Sequence, residues 1–188
     1  MSRTIPKRAG FHVFLLACSV TIASGQRVNV GAQHIADFQQ RIGDYVKLCH
    51  EAAAGMPGQK PTDSPGTMSN QERELAQRIR SLRPSARKGD IFTPEISAEF
   101  LRLIRLAWRN PDAAQMRRSL ARAEPVSIKI HINDAYPASI PLQSMPPTLL
   151  QNLPSLPKEL EYRVIGHNLV LRDARANLIV DFIERAIP

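Results

Sequence analysis

The sequence predicts an α+β fold, a helical N-terminal two-thirds packed with a small antiparallel sheet of about 3–4 strands near the C-terminus. Three observations lead there. Apolar residues recur at three- and four-residue steps from position 32 to about position 122, six prolines crowd residues 135–158, and period-two alternation appears at 126–133 and again beyond 160.

The chain opens with Arg3, Lys7 and Arg8, continues through an apolar run at 11–23 and reaches the small residues Ala23, Ser24 and Gly25. This is the tripartite pattern of a secretory signal peptide, so residues 1–25 are read as removed by cleavage after Gly25. The run is shorter than the ~20 apolar residues of a membrane-spanning helix, and no transmembrane helix is expected in the mature chain. A competing reading takes Leu15-Leu16-Ala17-Cys18 as a lipobox and makes Cys18 a lipidated first residue. Either route exports the protein to the periplasm or cell envelope, or beyond it. Residues 26–188 then form a single α+β domain.

Within that domain Ile35, Phe38, Ile42, Tyr45, Val46 and Cys49 trace one face of a first helix over 32–54. Cys49 falls on that face and reads as a buried small hydrophobe. A linker at about 55–68 follows, rich in Gly and Pro. Ser69 precedes Glu72 by the capping-box spacing, which predicts a second helix with Leu75, Ile79 and Leu82 inward. Pro84 predicts a break near 82–85.

KGDIFTPEIS, at 88–97, reads as punctuation between helices. Gly89 supplies positive φ after a helix end. Thr93 is a natural N-cap, Pro94 suits the first helical position, and Glu95 favours the positive end of the helix dipole. Asp90 is left to cap the turn or pair with Arg87 or Lys88. The third helix runs from 94 to about 108, with Arg102, Arg105 and Arg109 on a stripe beside its buried face, and Asn110-Pro111 opens a fourth.

Residues 126–133 alternate, with Val126, Ile128, Ile130 and Ile132 on one face and His131 on the other, which predicts a half-buried strand. The prolines of 135–158 exclude a long helix or regular strand, while the leucines among them predict an extended strap packed on the core, with a polyproline-like binding role as a lesser alternative. The chain ends as a meander that turns at Gly166-His167-Asn168. Leu169 and Leu171 share one parity and Leu178, Val180 and Phe182 the other, so a register change is expected around 173–176. Strand parity puts Asn177 and Asp181 on a solvent face; convergence of Asp173, Asn177 and Asp181 on a cation is the lesser reading, and no metal or cofactor is expected.

GDIFTPEI at 89–96 and LPSLPKELEYRVIGHNLVLRDARANLIVDFI at 153–183 together resemble an uncharacterised family of exported bacterial proteins. The resemblance implies export and a single domain, and it brings no activity, cofactor or catalytic residue. Pro84 departs from the uninterrupted Ala- and Arg-rich helix that precedes the first block in that family.

The formal net charge is +8, and the three cations of the leader account for part of it. Residues 70–122 hold twelve Lys/Arg against six Asp/Glu, whereas the rest of the chain to the C-terminus is near neutral. A basic helical half hints at an anionic partner. Nucleic acid is not expected, because export removes the chain from it and aromatics for base stacking make up only 5% of residues. HExxH, paired CxxC, GxSxG and P-loop signatures are absent from the sequence. The leading expectation is therefore a non-enzymatic envelope or periplasmic interaction module that contacts an envelope protein or an anionic wall or lipid component through the basic stripe or the strap. The alternative is a hydrolase-like enzyme with a dispersed site at Asp90, His131, Asp134 and His167, the titratable groups beside loop-rich segments.

Overall fold

A computed structural model describes residues 29–56, 65–109, 113–121, 128–138, 140 and 145–188. The leader, Cys18, Asn110-Pro111 and most of the linker lie outside these residues. Among the described residues five helices precede the sheet: α1 (Val30–Ala53), α2 (Pro65–Leu82), α3 (Pro94–Arg109), α4 (Ala113–Ala121) and the single turn α5 (Pro147–Leu150). Three strands follow, β1 (Leu160–Ile165), β2 (Asn168–Asp173) and β3 (Leu178–Ile183), antiparallel in the order β1-β2-β3.

α1 begins where the Asn29 side chain accepts the Ala32 N–H at 3.3 Å, and the chain leaves it through Gly55 at φ 73°. Its buried stripe is Phe38, Ile42, Tyr45, Cys49 and Ala52. Gly43 lies in the helix interior, where an added Cβ would meet nothing within 4 Å. Gly43→Ala is expected to stabilise the fold by about 1 kcal/mol and raise the melting midpoint by about 2–4 °C in a thermal scan.

α2 starts at Pro65, so Ser69 falls inside the helix and not at its N-cap. The helix stops at Leu82, two residues before Pro84, as the missing proline donor demands. Leu82 is 41% exposed, outside the expected inner face, because this last turn runs past the core formed by Leu75, Ala76 and Ile79. α3 opens as its residues require: the Thr93 hydroxyl accepts the Ile96 N–H at 3.3 Å, and the Thr93 carbonyl accepts the Ser97 N–H at 2.8 Å. Phe38 of α1, Phe92, Phe100 of α3 and Tyr162 of β1 form one aromatic cluster, with centroid separations of 4.8–6.0 Å. That cluster is the seam between helices and sheet.

Both faces of the sheet are covered. Leu160, Tyr162, Leu169, Leu171, Leu178, Val180 and Ile183 join the helical core. Ile165, Val170, Ile179 and Phe182 form a second core with Ile130, Tyr136 and Ile140. The segment expected as a strand over 126–133 is not one among its described residues 128–133. Its isoleucines bury as the alternation requires, but a turn at 132–133, with Asn133 at φ 67°, breaks the ladder. Irregular contacts remain: Asn133 N–H to Ile179 O at 2.9 Å, Ile179 N–H to Asp134 O at 2.9 Å and Tyr136 N–H to Asn177 O at 2.8 Å.

The register change falls elsewhere than expected. β2 and β3 stay in step from the turn until Leu171 faces Asp181 while Arg172 faces Ile179, leaving Val180 as an extra residue on β3. A bulge places two successive side chains on one side of the strand. Val180 and Asp181 therefore both face the helices, Phe182 goes to the second core, and Ile183 returns to the first.

Candidate functional site

The bulge aims the Asp181 carboxylate at the loop after α2. Asp181 is 0% exposed, not solvent-facing as simple parity places it. Its oxygens accept the N–H groups of Ile91 and Phe92 at 2.8 Å each and of Gly89 at 3.1 Å, together with its neighbour Phe182 at 2.8 Å. Gly89 adopts φ 93°, which turns the loop so that these donors converge. The blocks GDIF and LIVDFI thus meet at one carboxylate. Asp90 itself points away: it accepts the Arg87 N–H at 2.9 Å, and its carbonyl accepts from Arg41 at 2.8 Å. A carboxylate buried and saturated by backbone donors is an anchor, and Asp181 holds this loop on β3.

Asp173 plays the same part at the other end of the sheet. It is 1% exposed; Oδ1 accepts the Arg175 and Ala176 N–H groups at 2.8 Å, while Oδ2 accepts the Tyr45 hydroxyl at 3.0 Å and the Cys49 thiol at 3.3 Å. Burial first, and then the Asp173 charge, push the Cys49 thiol up to about 12 and raise Tyr45 as well. Cys49 stays a protonated thiol, which makes it a poor nucleophile. Alkylation with iodoacetamide at neutral pH is expected to be negligible in the native protein and rapid after denaturation. The sign for stability follows from a folded-state pKa above the ordinary 9.0: this contribution is complete below pH 9 and is lost as pH rises towards about 12.

Of the four dispersed candidates, the structure brings together two. His131 Nδ1 lies 2.9 Å from Asp134 Oδ2 on the exposed surface, and the same carboxylate oxygen accepts the His131 N–H at 3.2 Å, which staples the turn. His167, in the β1–β2 turn, donates from Nδ1 to the Ile187 carbonyl at 2.9 Å and pins the C-terminal tail. Asp90 belongs to the loop after α2. Asp173, Asn177 and Asp181, weighed as cation ligands, have separate partners: Asn177 Oδ1 accepts from Arg172 at 2.6 and 2.9 Å. Among the described residues no group of three or more His, Cys, Asp and Glu is placed to hold a metal ion.

The basic surface is better formed. On α3, Arg102 makes a two-pronged pair with the buried Glu99 at 2.6 and 2.8 Å, which holds the Glu99 carboxyl below its usual range. Arg105 and Arg109 are exposed, as are Arg117 and Arg118 on α4, the helix that packs against α3. None of these four has an ion-pair or hydrogen-bond partner among the described residues. α3 and α4 turn Ile104, Ala107, Ala113 and Met116 inward, and their arginines are left to the outside. Arg117 and Arg118 add exposed charge on the neighbouring helix to the three arginines singled out from sequence, and the signal was the repeated Arg without intervening acid across 100–109 and 113–122. A second surface feature is an open groove of about 340 Å³ between β1 and the strap, floored by Leu160 and Tyr162 and walled by Met145, Leu150, Pro154 and Leu156.

No family model, curated protein or solved structure matches the chain. The functional reading therefore rests on these surfaces. Among the described residues no helix is long and apolar enough to cross a membrane.

Proposed function

We propose that this is an exported, non-enzymatic envelope protein that binds a polyanionic, phosphate- or carboxylate-bearing envelope component through Arg105, Arg109, Arg117 and Arg118. The observation that carries the reading is that, among the described residues, none of these four exposed arginines on two consecutive, packed helices has an acid partner. Elsewhere the arginines are largely engaged, as in Arg41 with Asp37, Arg78 with Glu74 and Arg172 with Glu161. Exposed guanidinium groups favour anions by long-range attraction and by their planar, multidentate donors. Export is supported by the basic, apolar and small-residue pattern of the first 25 residues. A dispersed Asp/His hydrolase receives less support, since Asp90 and His167 are each bound to separate backbone groups.

The test is cross-linking of the tagged full chain during export in a bacterial host, with the mature N-terminus read by mass spectrometry in the same run. The expected result is a chain starting at Gln26 cross-linked to an anionic envelope component, and loss of that product when the four arginines are changed to glutamine. A chain that keeps residues 1–25 in the cytoplasm, or a product indifferent to the arginines, contradicts the reading.

A further inference from the structure

The groove beside β1 has a property that the arginine surface does not share. Residues 160–163 line it consecutively, from both faces of the strand, so it runs along the strand's edge and not over one face. β1 is the outer strand, and among the described residues only β2 pairs with it. The Ala174 N–H donates to the Glu159 carbonyl at 2.9 Å, which sets the phase of the ladder. Hydrogen bonds to β2 fall on the odd-numbered residues of β1, and the N–H and C=O groups of Tyr162 and Val164 point away from the sheet. An open edge of this kind is a template for another strand.

The charge pattern specifies which strand fits. Pairing between outward groups requires even-numbered residues to face even-numbered residues. Among antiparallel self-pairings, the register centred on Arg163 sets that arginine against its own copy, and the register centred on Glu161 sets two glutamates together. The register centred on Tyr162 instead places Glu161 of each copy opposite Arg163 of the other, twice, at the positions where facing side chains come closest. It also sets Leu160 opposite Val164, so that Val164 of one copy meets the apolar floor of the other's groove. Glu161 and Arg163 already pair within the chain at 2.8 Å, and Glu161 also binds Arg172, so the contacts between copies exchange with pairs that each copy makes by itself. Leu150, 42% exposed on the groove wall, supplies apolar surface for the second copy to cover.

The geometry points to self-association of this protein through β1, with two copies joining their sheets antiparallel about Tyr162 into one six-stranded sheet. Light scattering on the purified full chain is expected to give twice the monomer mass. Val164→Pro removes an outward donor without touching the β2 ladder and is expected to give the monomer mass with unchanged far-ultraviolet circular dichroism. A second measurement does not depend on that variant folding. In a Cys18→Ser background, Glu161→Cys and Arg163→Cys proteins are expected to form a disulfide-linked dimer under mild oxidation when mixed, and neither to do so alone. Monomer mass at every concentration, or cross-linking of either variant alone equal to that of the mixture, overturns the proposal.

Discussion

Asp181→Ala is expected to cost about 4 kcal/mol of folding stability. The substitution strands the buried N–H groups of Ile91 and Phe92 and the half-buried one of Gly89, and each buried unsatisfied group costs roughly 1–3 kcal/mol. Asp181→Asn keeps the shape but replaces one acceptor oxygen by an NH₂ donor. Both oxygens receive N–H groups, so either orientation of the amide sets donor against donor. An intermediate loss is expected. Urea denaturation of the two variants checks both values, with Glu51→Ala, at an exposed position on α1, as a surface control expected to change stability by less than about 0.5 kcal/mol. An asparagine variant as stable as the parent would mean that the loop does not depend on this carboxylate.

Asp173→Ala is the second large effect, expected at about 3 kcal/mol. It removes the acceptor for the Arg175 and Ala176 N–H groups of the β2–β3 turn and for Tyr45 and Cys49 on α1. Tyr45→Phe loses only the hydroxyl contact and is expected to cost about 1 kcal/mol. In a double-mutant cycle the two changes should fall short of additivity, because they share one hydrogen bond. Full additivity would show that the Tyr45–Asp173 hydrogen bond contributes nothing.

These two carboxylates also mark what was legible in the sequence. The helices were, because their apolar spacing and punctuation agree: Gly89, Thr93 and Pro94 each take the conformation their chemistry favours. The meander was legible from its alternation and from Gly166, which turns at φ 57°. The role of Asp181 was not, because LIVDFI is apolar at every other position and its pattern carries no mark of the extra residue at Val180. Parity without that bulge sends Asp181 to solvent. The failure at 126–133 has the same character: burial follows the isoleucines, but the ladder depends on the backbone at Asn133, whose positive φ no periodicity reveals. Asp90 drew attention because it sits in the loop, whereas the carboxylate that matters there comes from a strand about ninety residues later. In the basic stripe, the three-residue step from Glu99 to Arg102 is legible as an ion pair, and the structure forms it.

Whether the α3–α4 arginines hold a polyanion is decided by the salt dependence of binding to anionic vesicles, with neutral vesicles as reference. Each arginine near an anionic surface contributes roughly 1 kcal/mol, so changing Arg117 and Arg118 to glutamine should weaken binding about 30-fold at low salt. Screening should narrow that difference steeply as ionic strength rises to the physiological range. Binding that is equal on neutral vesicles, or that keeps its strength in salt and without the arginines, would mean that these arginines hold no polyanion.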